Sequence, residues 1–270
     1  MTQQHNIVIF GEAGCGKSSL VNMIVGENVA KVSSELLGCT FRSEAYDATF
    51  DNTHFRIYDT AGLNEGDQGR VPHWTSVREL YTLIRKLDSV SLLIYCIRGR
   101  VKENTQANWI LFNKVICGEQ VPAVVVVTGL ENDRDWDDRS KMKKFRTTFE
   151  AYDIKPEEIT SVVSIKGNRN EFAKHYDKSQ QKLRQMITKC RRKEPWSRAK
   201  EDWFVSIYHT TYTTQLCFFS RTNVEFNDKM RTVIHEFTQA TSMSEAESKE
   251  LQDTLLRAEK KVMEEKEKEG

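Results

Sequence analysis

The chain has 270 residues, enough for one domain of roughly 150–200 residues plus an extension. Lys and Arg number 40 against 39 Asp and Glu, a balance that gives no global pull toward nucleic acid or an anionic membrane. The six cysteines, Cys15, Cys39, Cys96, Cys117, Cys190 and Cys217, form no C-x-x-C pair and none sits beside a His at metal-ligand spacing, so reduced thiols in an intracellular protein are expected.

At the start of the chain, polar residues 1–6 and the short apolar run 7–10 do not make a secretory signal. The longest apolar stretches, 90–97 and 121–127, are far below a membrane span, and glycine for myristoylation and cysteine for prenylation are both missing at the termini. The expectation is a cytoplasmic protein without a transmembrane segment. Run 7–10 instead suits a central parallel strand, and 18–25 follows as a helix. Residues 43–50 alternate, with Tyr46, Ala48 and Phe50 on one face, which predicts an edge strand. Asp51-Asn52-Thr53 is turn chemistry, and 55–59 returns as a second strand of a hairpin.

A helix over 77–87 follows, with Leu80, Leu83, Ile84 and Leu87 on one stripe. A buried strand over 91–97 precedes a helix over 104–116, whose Trp109, Phe112 and Ile116 are spaced for a core face. A strand over 121–127, a helix over 140–152, a strand over 159–165 and a helix over 173–190 complete the alternation, with Leu183 and Ile187 inward. This pattern predicts an α/β fold: a doubly wound, mostly parallel sheet with helices on both faces and ligand at the carboxyl ends of its strands.

Pro195 and Trp196 mark a boundary after the basic run 189–193, dividing a domain of residues 1–192 from an extension of residues 193–270. The patch Arg191–Lys193 reads as a solvated helix end, and no nucleic-acid partner is expected. Residues 202–219 are aromatic and β-branched without helical period, and 228–237 read as helical. Ser244 and Glu247 fit a capping box, and Leu251, Leu255, Ala258 and Val262 repeat at four-three-four spacing. The plain reading of this Glu/Lys-rich end is a solvated charged helix with one thin apolar stripe. A short coiled coil is the alternative, although it falls below three or four heptads.

The first strand runs directly into Gly11-Glu12-Ala13-Gly14-Cys15-Gly16-Lys17-Ser18, which matches G-x-x-x-x-G-K-[ST] between a strand and a helix. Its glycines let the backbone wrap with N–H groups turned inward as an anion nest, and the following helix, entered through Ser18 and Ser19, adds its N-terminal dipole. Lys17 can place an ammonium on β- and γ-phosphates, and Ser18 can offer its hydroxyl to Mg²⁺. The alternative, a glycine-rich turn that happens to carry Lys-Ser, does not explain the strand and helix on either side. Cys15 reads as filler of the loop, with a redox role as the alternative.

Tyr58-Asp59-Thr60-Ala61-Gly62 ends a strand. Asp59 can hold a Mg²⁺-bound water there, and Gly62 leaves its N–H free for a γ-phosphate. Residues 63–74 look like a loop that a γ-phosphate orders and hydrolysis releases. A second sensor is expected between Ser18 and Asp59. Thr40 is favoured for it, with Ser33 and Ser34 as rivals.

Gly11–Ser18, Thr40 and Asp59–Gly62, in this order, resemble the G domain of the translation-factor-related GTPases. The stretches VIFGEAGCGKSSLVN, GCTF, DTAGLNEG and VVTGLEN resemble the G-domain proteins abundant in mushroom-forming fungi, and more distantly septins and the immunity-associated and chloroplast-import GTPases. The resemblance covers about residues 6–192. It implies a Ras-like G-domain sheet, binding of GTP and GDP with Mg²⁺, slow hydrolysis of GTP and, from the septin-like relatives, nucleotide-linked homodimerisation.

Two departures from that pattern stand out. Ras-like relatives follow the sensor glycine with a glutamine that orients the attacking water; here Leu63 follows it and cannot hydrogen-bond water. Glu65 or Gln68 can swing in, a partner can supply an arginine, or the protein is a switch that barely turns over. Lys17, Thr40, Gly62 and Glu65 are the candidate catalytic set. Arg42, Arg70 and Arg100 are candidate arginines, each with an ordinary surface charge as its plain alternative.

The second departure is in base reading, which in relatives uses Asn/Thr-Lys-x-Asp after this strand. Here Thr128-Gly129-Leu130-Glu131 occupies the place. Glu131 keeps two acceptor oxygens for the base N1 and N2 donors, one methylene further out. Gly129 removes the lysine stem that covers the base, and Trp136 is a candidate substitute. Ser164-Ile165-Lys166 stands where relatives carry Ser-Ala-Lys, whose backbone meets the guanine oxygen. Competing readings are a small ATP-using P-loop enzyme and an interaction scaffold with little turnover, its charged tail serving an unknown effector.

Overall fold

A computed structural model of the chain describes residues 4–30, 44–60, 74–87, 89–101, 103–194, 207–212, 221–226, 231, 234–235, 238 and 244–269. Six strands form one sheet: β1 (Gln4–Gly11), β2 (Glu44–Phe50), β3 (Thr53–Asp59), β4 (Leu92–Arg98), β5 (Ala123–Thr128) and β6 (Ile159–Ser161). Their spatial order is β2-β3-β1-β4-β5-β6, and only the β2–β3 pair is antiparallel. The hairpin between those two closes through Asp51 and Asn52, both at positive φ (49° and 54°), as a two-residue primed turn requires.

Both faces of the central strands are buried, which is why they read as unbroken apolar runs. Val8, Phe10, Leu93, Tyr95, Val125 and Val127 face one core. It is covered by α2 (Trp74–Lys86), α3 (Glu103–Trp109) and Phe149 of α4 (Arg139–Ala151). Phe10 stacks on Tyr95 at 4.8 Å and on Phe112 at 4.3 Å, centroid to centroid, in the middle of that layer. Ile7, Ile9, Ile94, Val124 and Val126 face the other core, covered by α1 (Lys17–Val25) and α5 (Ala173–Cys190). The expected doubly wound α/β sheet with helices on both faces is therefore present, and strand order reverses beside β1.

Three expectations need correction. The helix expected over 104–116 is α-helical only to Trp109 and continues as a π-helix over Ile110–Ile116. At its end the Cys117 N–H reaches five residues back to the Phe112 carbonyl at 3.1 Å. The wider turn buries Ile110, Leu111, Phe112, Val115 and Ile116 together, where an α-helix would rotate part of that run outward. The last strand is also shorter than 159–165. After Ser161 the Val163 N–H leaves the ladder and donates to the Ser179 hydroxyl of α5 at 2.9 Å.

The third correction concerns the C-terminal helix, α6 (Glu245–Glu269). Its capping box forms as expected: the Glu247 N–H donates to the Ser244 hydroxyl at 3.3 Å, and the Glu247 carboxylate accepts from the Ser244 N–H at 2.8 Å. Its apolar stripe is not solvated. Leu251, Leu255 and Ala258 are buried in the same cluster as Leu80, Tyr81 and Ile84, and α6 packs along α2. The extension also contributes an antiparallel pair, β7 (Ile207–Tyr212) with β8 (Arg221–Phe226). Among residues 228–237, expected to be helical, residues 231, 234 and 235 are described, and they are helical.

Candidate functional site

The carboxyl ends of β1, β3, β4 and β5 converge on the loop after β1. Gly11 has φ 154°, and a Cβ there would overlap the Cys96 carbonyl on the neighbouring strand, so the loop can leave β1 this closely only with glycine. Gly16 caps α1 in a left-handed conformation, φ 96° and ψ 23°. Thr128 at the end of β5 fastens the loop from the far side: its hydroxyl donates to the Cys15 carbonyl at 2.5 Å, and the Cys96 thiol reaches the same carbonyl at 3.1 Å. Cys15 is buried at the centre of these contacts, in keeping with a filler role. Ser19 is buried in the first turn of α1, whereas Glu12, Ala13 and Ser18 keep partial access to solvent.

Lys17 folds back over its own loop. Its Nζ donates to the Gly11 carbonyl at 3.1 Å and to the Glu12 carbonyl at 2.9 Å, which holds the ammonium against the start of the loop. The Ser18 hydroxyl donates to Asp59 Oδ2 at 2.8 Å. Asp59 Oδ1 is buried with no hydrogen-bond partner. Burial pushes the Asp59 carboxyl above its ordinary range; the Ser18 bond and the Lys17 charge oppose the rise, and Glu44 adds to it. A desolvated carboxylate with an orphaned oxygen beside a hydroxyl suits a hard, oxygen-seeking dication such as Mg²⁺. Next to it, Thr60 donates its hydroxyl to the Ile9 carbonyl at 2.8 Å and tethers the end of β3 to β1.

The loop after β5 is rich in acids, and most are already occupied. Asp133 pairs with Lys141 through Oδ2 and accepts the Asp135 N–H at 2.9 Å. Asp137 is bound by Lys178 and Lys182. Asp138 caps α4 by accepting the Ser140 N–H. Glu131, half-buried and three residues after Thr128, has no side-chain partner among the described residues. Trp136 is buried, with Lys178 and Lys182 of α5 over its ring and His175 of α5 beside it, so it packs against α5 and does not cover a base. Ser164 is buried, while Ile165 is 45% exposed and Lys166 lies over the Tyr176 ring at 5.1 Å. Thr40, Gly62, Leu63, Glu65, Gln68, Ser33, Ser34, Arg42 and Arg70 lie outside the described residues.

Residues 6–129 match the family model described as 50S ribosome-binding GTPase, and that span holds the phosphate loop, Asp59 and Thr128. The chain carries a P-loop GTPase domain. It is 26% identical over 262 residues to immune-associated nucleotide-binding protein 10 of Arabidopsis thaliana, covering 95% of this chain and 52% of that protein. It is 31% identical over 127 residues to GTPase Der of Bacillus thuringiensis, covering 47% of this chain and 27% of that protein. The chain thus spans about half or less of the length of these curated relatives. Among solved structures, a variant of Aquifex aeolicus Era bound to GDP·AlF4⁻ superposes with a TM-score of 0.50 at 16% identity, over 74% of this chain and 61% of that one, a likeness of fold.

One residue of the GTPase domain's site was not anticipated. Arg98 ends β4 in register with Thr128, and its side chain crosses Gly129. Spacing along the chain gives no signal for it, since it lies 31 residues before Gly129 and meets it only through strand pairing. No helix among the described residues is long and apolar enough to cross a membrane.

Proposed function

We propose that the protein is a Mg²⁺-dependent GTP-binding switch of the cytoplasm that hydrolyses GTP slowly. Residues 1–192 serve as the nucleotide unit, and residues 193–270 as an extension docked on it. The observation that carries the guanine reading is the unpartnered, half-buried Glu131 carboxylate three residues after β5: Asp133, Asp137 and Asp138 in the same loop are committed to lysines or to a helix cap, and Asp135 lies exposed. A carboxylate there accepts from two donors of guanine, whereas adenine would present a lone pair to it.

In this reading the N–H groups of residues 13–18 cradle the phosphates, and Lys17 turns from its own carbonyls toward the β- and γ-phosphates. Ser18 and Asp59 would hold Mg²⁺, with Thr40 as the further hydroxyl. When bound, the ion neutralises phosphate charge. Gly62 senses the γ-phosphate, and the backbone of Ser164, Ile165 and Lys166 meets the guanine oxygen. With Leu63 where relatives carry a glutamine, water is poorly oriented. Glu65 or an arginine from a second copy of the chain, with Arg100 as the described candidate, restores that function, so homodimerisation across the nucleotide accelerates turnover. The same Leu63 favours a second reading, an effector-binding scaffold that retains nucleotide with little turnover.

Titration of GTP, GDP and ATP in Mg²⁺ against wild type and Lys17→Ala tests the proposal. Guanine nucleotides are expected to bind wild type well ahead of ATP, and Lys17→Ala to lose them. ATP binding as tight as GTP would overturn the guanine reading, and unchanged binding by Lys17→Ala would overturn the phosphate site.

A further inference from the structure

Gly129 sits where a lysine stem is expected to cover the base, and Trp136, the other candidate, is committed elsewhere. The place beside Gly129 is nevertheless filled. A Cβ at residue 129 would lie 2.8 Å from Arg98 Cγ and 3.2 Å from Arg98 Nε, and residue 129 has φ 73°. Any side chain there would be strained in backbone and would collide with the arginine stem. Gly129 and Arg98 are therefore a matched pair, in which the absence of one side chain makes room for the other.

The path of Arg98 is also informative. Strand pairing places its Cα opposite Thr128, and the Gly99 N–H donates to the Thr128 carbonyl at 2.9 Å, so the origin of the side chain is fixed beside the base-reading loop. From there the stem passes over Gly129, and Nη1 reaches toward the Gly14 carbonyl of the phosphate loop at 3.5 Å, the limit of a hydrogen bond. The side chain spans from the loop that carries Glu131 to the loop that cradles phosphate. A nucleoside diphosphate held at both ends would lay its purine along that span.

We propose that Arg98 forms one face of the purine pocket and takes over the task of the missing lysine at residue 129, its planar guanidinium stacking on the base. The inference rests on the proposed nucleotide function and adds the residue that covers the base. A guanidinium is suited to this task because it is flat, always charged and weakly hydrated, so it can lie on an aromatic face without losing much solvation. Its bond to Gly14 is long, so the guanidinium can move onto a ligand at little cost.

The test is to titrate GDP, ADP and inorganic tripolyphosphate, each with Mg²⁺, against wild type, Arg98→Ala and Arg98→Lys. Arg98→Ala is expected to weaken GDP by about 5- to 30-fold, the equivalent of a desolvated cation–π contact, and to leave tripolyphosphate unchanged. Arg98→Lys should fall between the two proteins, because it keeps charge and stem but loses the plane. An exposed strand-end arginine should leave Tm nearly unchanged in both variants. Equal losses for GDP and tripolyphosphate would assign Arg98 to the phosphate loop and overturn the stacking role, as would unchanged GDP binding. Wild type that prefers GDP to tripolyphosphate but not to ADP would overturn the guanine reading while leaving Arg98 testable on either purine. Wild type that binds GDP no better than tripolyphosphate would overturn the base pocket and this inference together.

Discussion

The Ser18 hydroxyl donates to Asp59 Oδ2 at 2.8 Å, and this one bond joins the start of α1 to the end of β3. The other oxygen of that carboxylate is buried without a partner. The pair is thus a carboxylate removed from water but only half satisfied, next to the hydroxyl that the phosphate-loop motif reserves for a metal.

Asp59 binds its proton more tightly in the folded chain than at its ordinary value of 3.8, chiefly because it is buried. Below that value both states are protonated and the group costs nothing. As pH rises through the higher folded pKa, its ionisation subtracts from stability. Asp59→Asn is therefore expected to leave Tm at pH 7 in EDTA unchanged or higher. The same variant should weaken Mg²⁺-dependent nucleotide binding by ~10- to 100-fold, as loss of an outer-sphere ligand does. Thermal melts in EDTA and in Mg²⁺–GDP read both effects, and a large fall in Tm in EDTA would show the ionised carboxylate stabilising the fold.

Leu255→Ala tests the docking of the extension. Leu255 is 1% exposed, in the cluster that contains Leu80, Tyr81 and Ile84 of α2. Truncation should cost about 2–5 kcal/mol in urea unfolding of the full chain. A solvated helix would give a change within about 0.5 kcal/mol. Because α2 begins just after the segment that holds Gly62, the variant should also change the rate of GDP release; an unchanged rate would separate the extension from the nucleotide site.

The capping box of the same helix gives a smaller effect. Ser244→Ala removes the acceptor of the Glu247 N–H and should cost about 0.5–2 kcal/mol, read as a fall in the urea midpoint with the slope unchanged. No change in midpoint would mean that this end of α6 contributes nothing to global stability.

Much of this architecture is visible in the chain before folding. Short apolar runs and one alternating segment, 43–50, place every strand of the main sheet, and the bounds of α5 agree residue for residue with the sequence expectation. The phosphate loop is legible because its chemistry lies in eight consecutive residues. The features that escape are those set by partners distant in sequence. The π-helix at 110–116 carries Phe112 onto Phe10, 102 residues away in the chain, and burial of Leu251, Leu255 and Ala258 relies on the apolar residues of α2 that they meet. Arg98 escapes because strand pairing, not spacing, brings it to Gly129. Conversely, Trp136 looks like a base cover only until its lysine partners are seen.

Turnover is expected to depend on protein concentration. If a second copy completes the site left open by Leu63, specific GTPase activity should rise across the micromolar range, and Arg100→Ala should flatten that rise. A flat dependence for wild type would remove the dimer as activator and favour the scaffold reading.

Glu131 as the guanine reader is tested by competition binding of GTP against ATP in Mg²⁺, for wild type and Glu131→Ala. Wild type is expected to prefer GTP by at least ~100-fold, the loss expected when buried polar groups meet the wrong donors. Glu131→Ala is expected to lose that preference by weakening GTP while ATP affinity stays the same. A Glu131→Ala protein that still prefers GTP to the same degree would contradict that role.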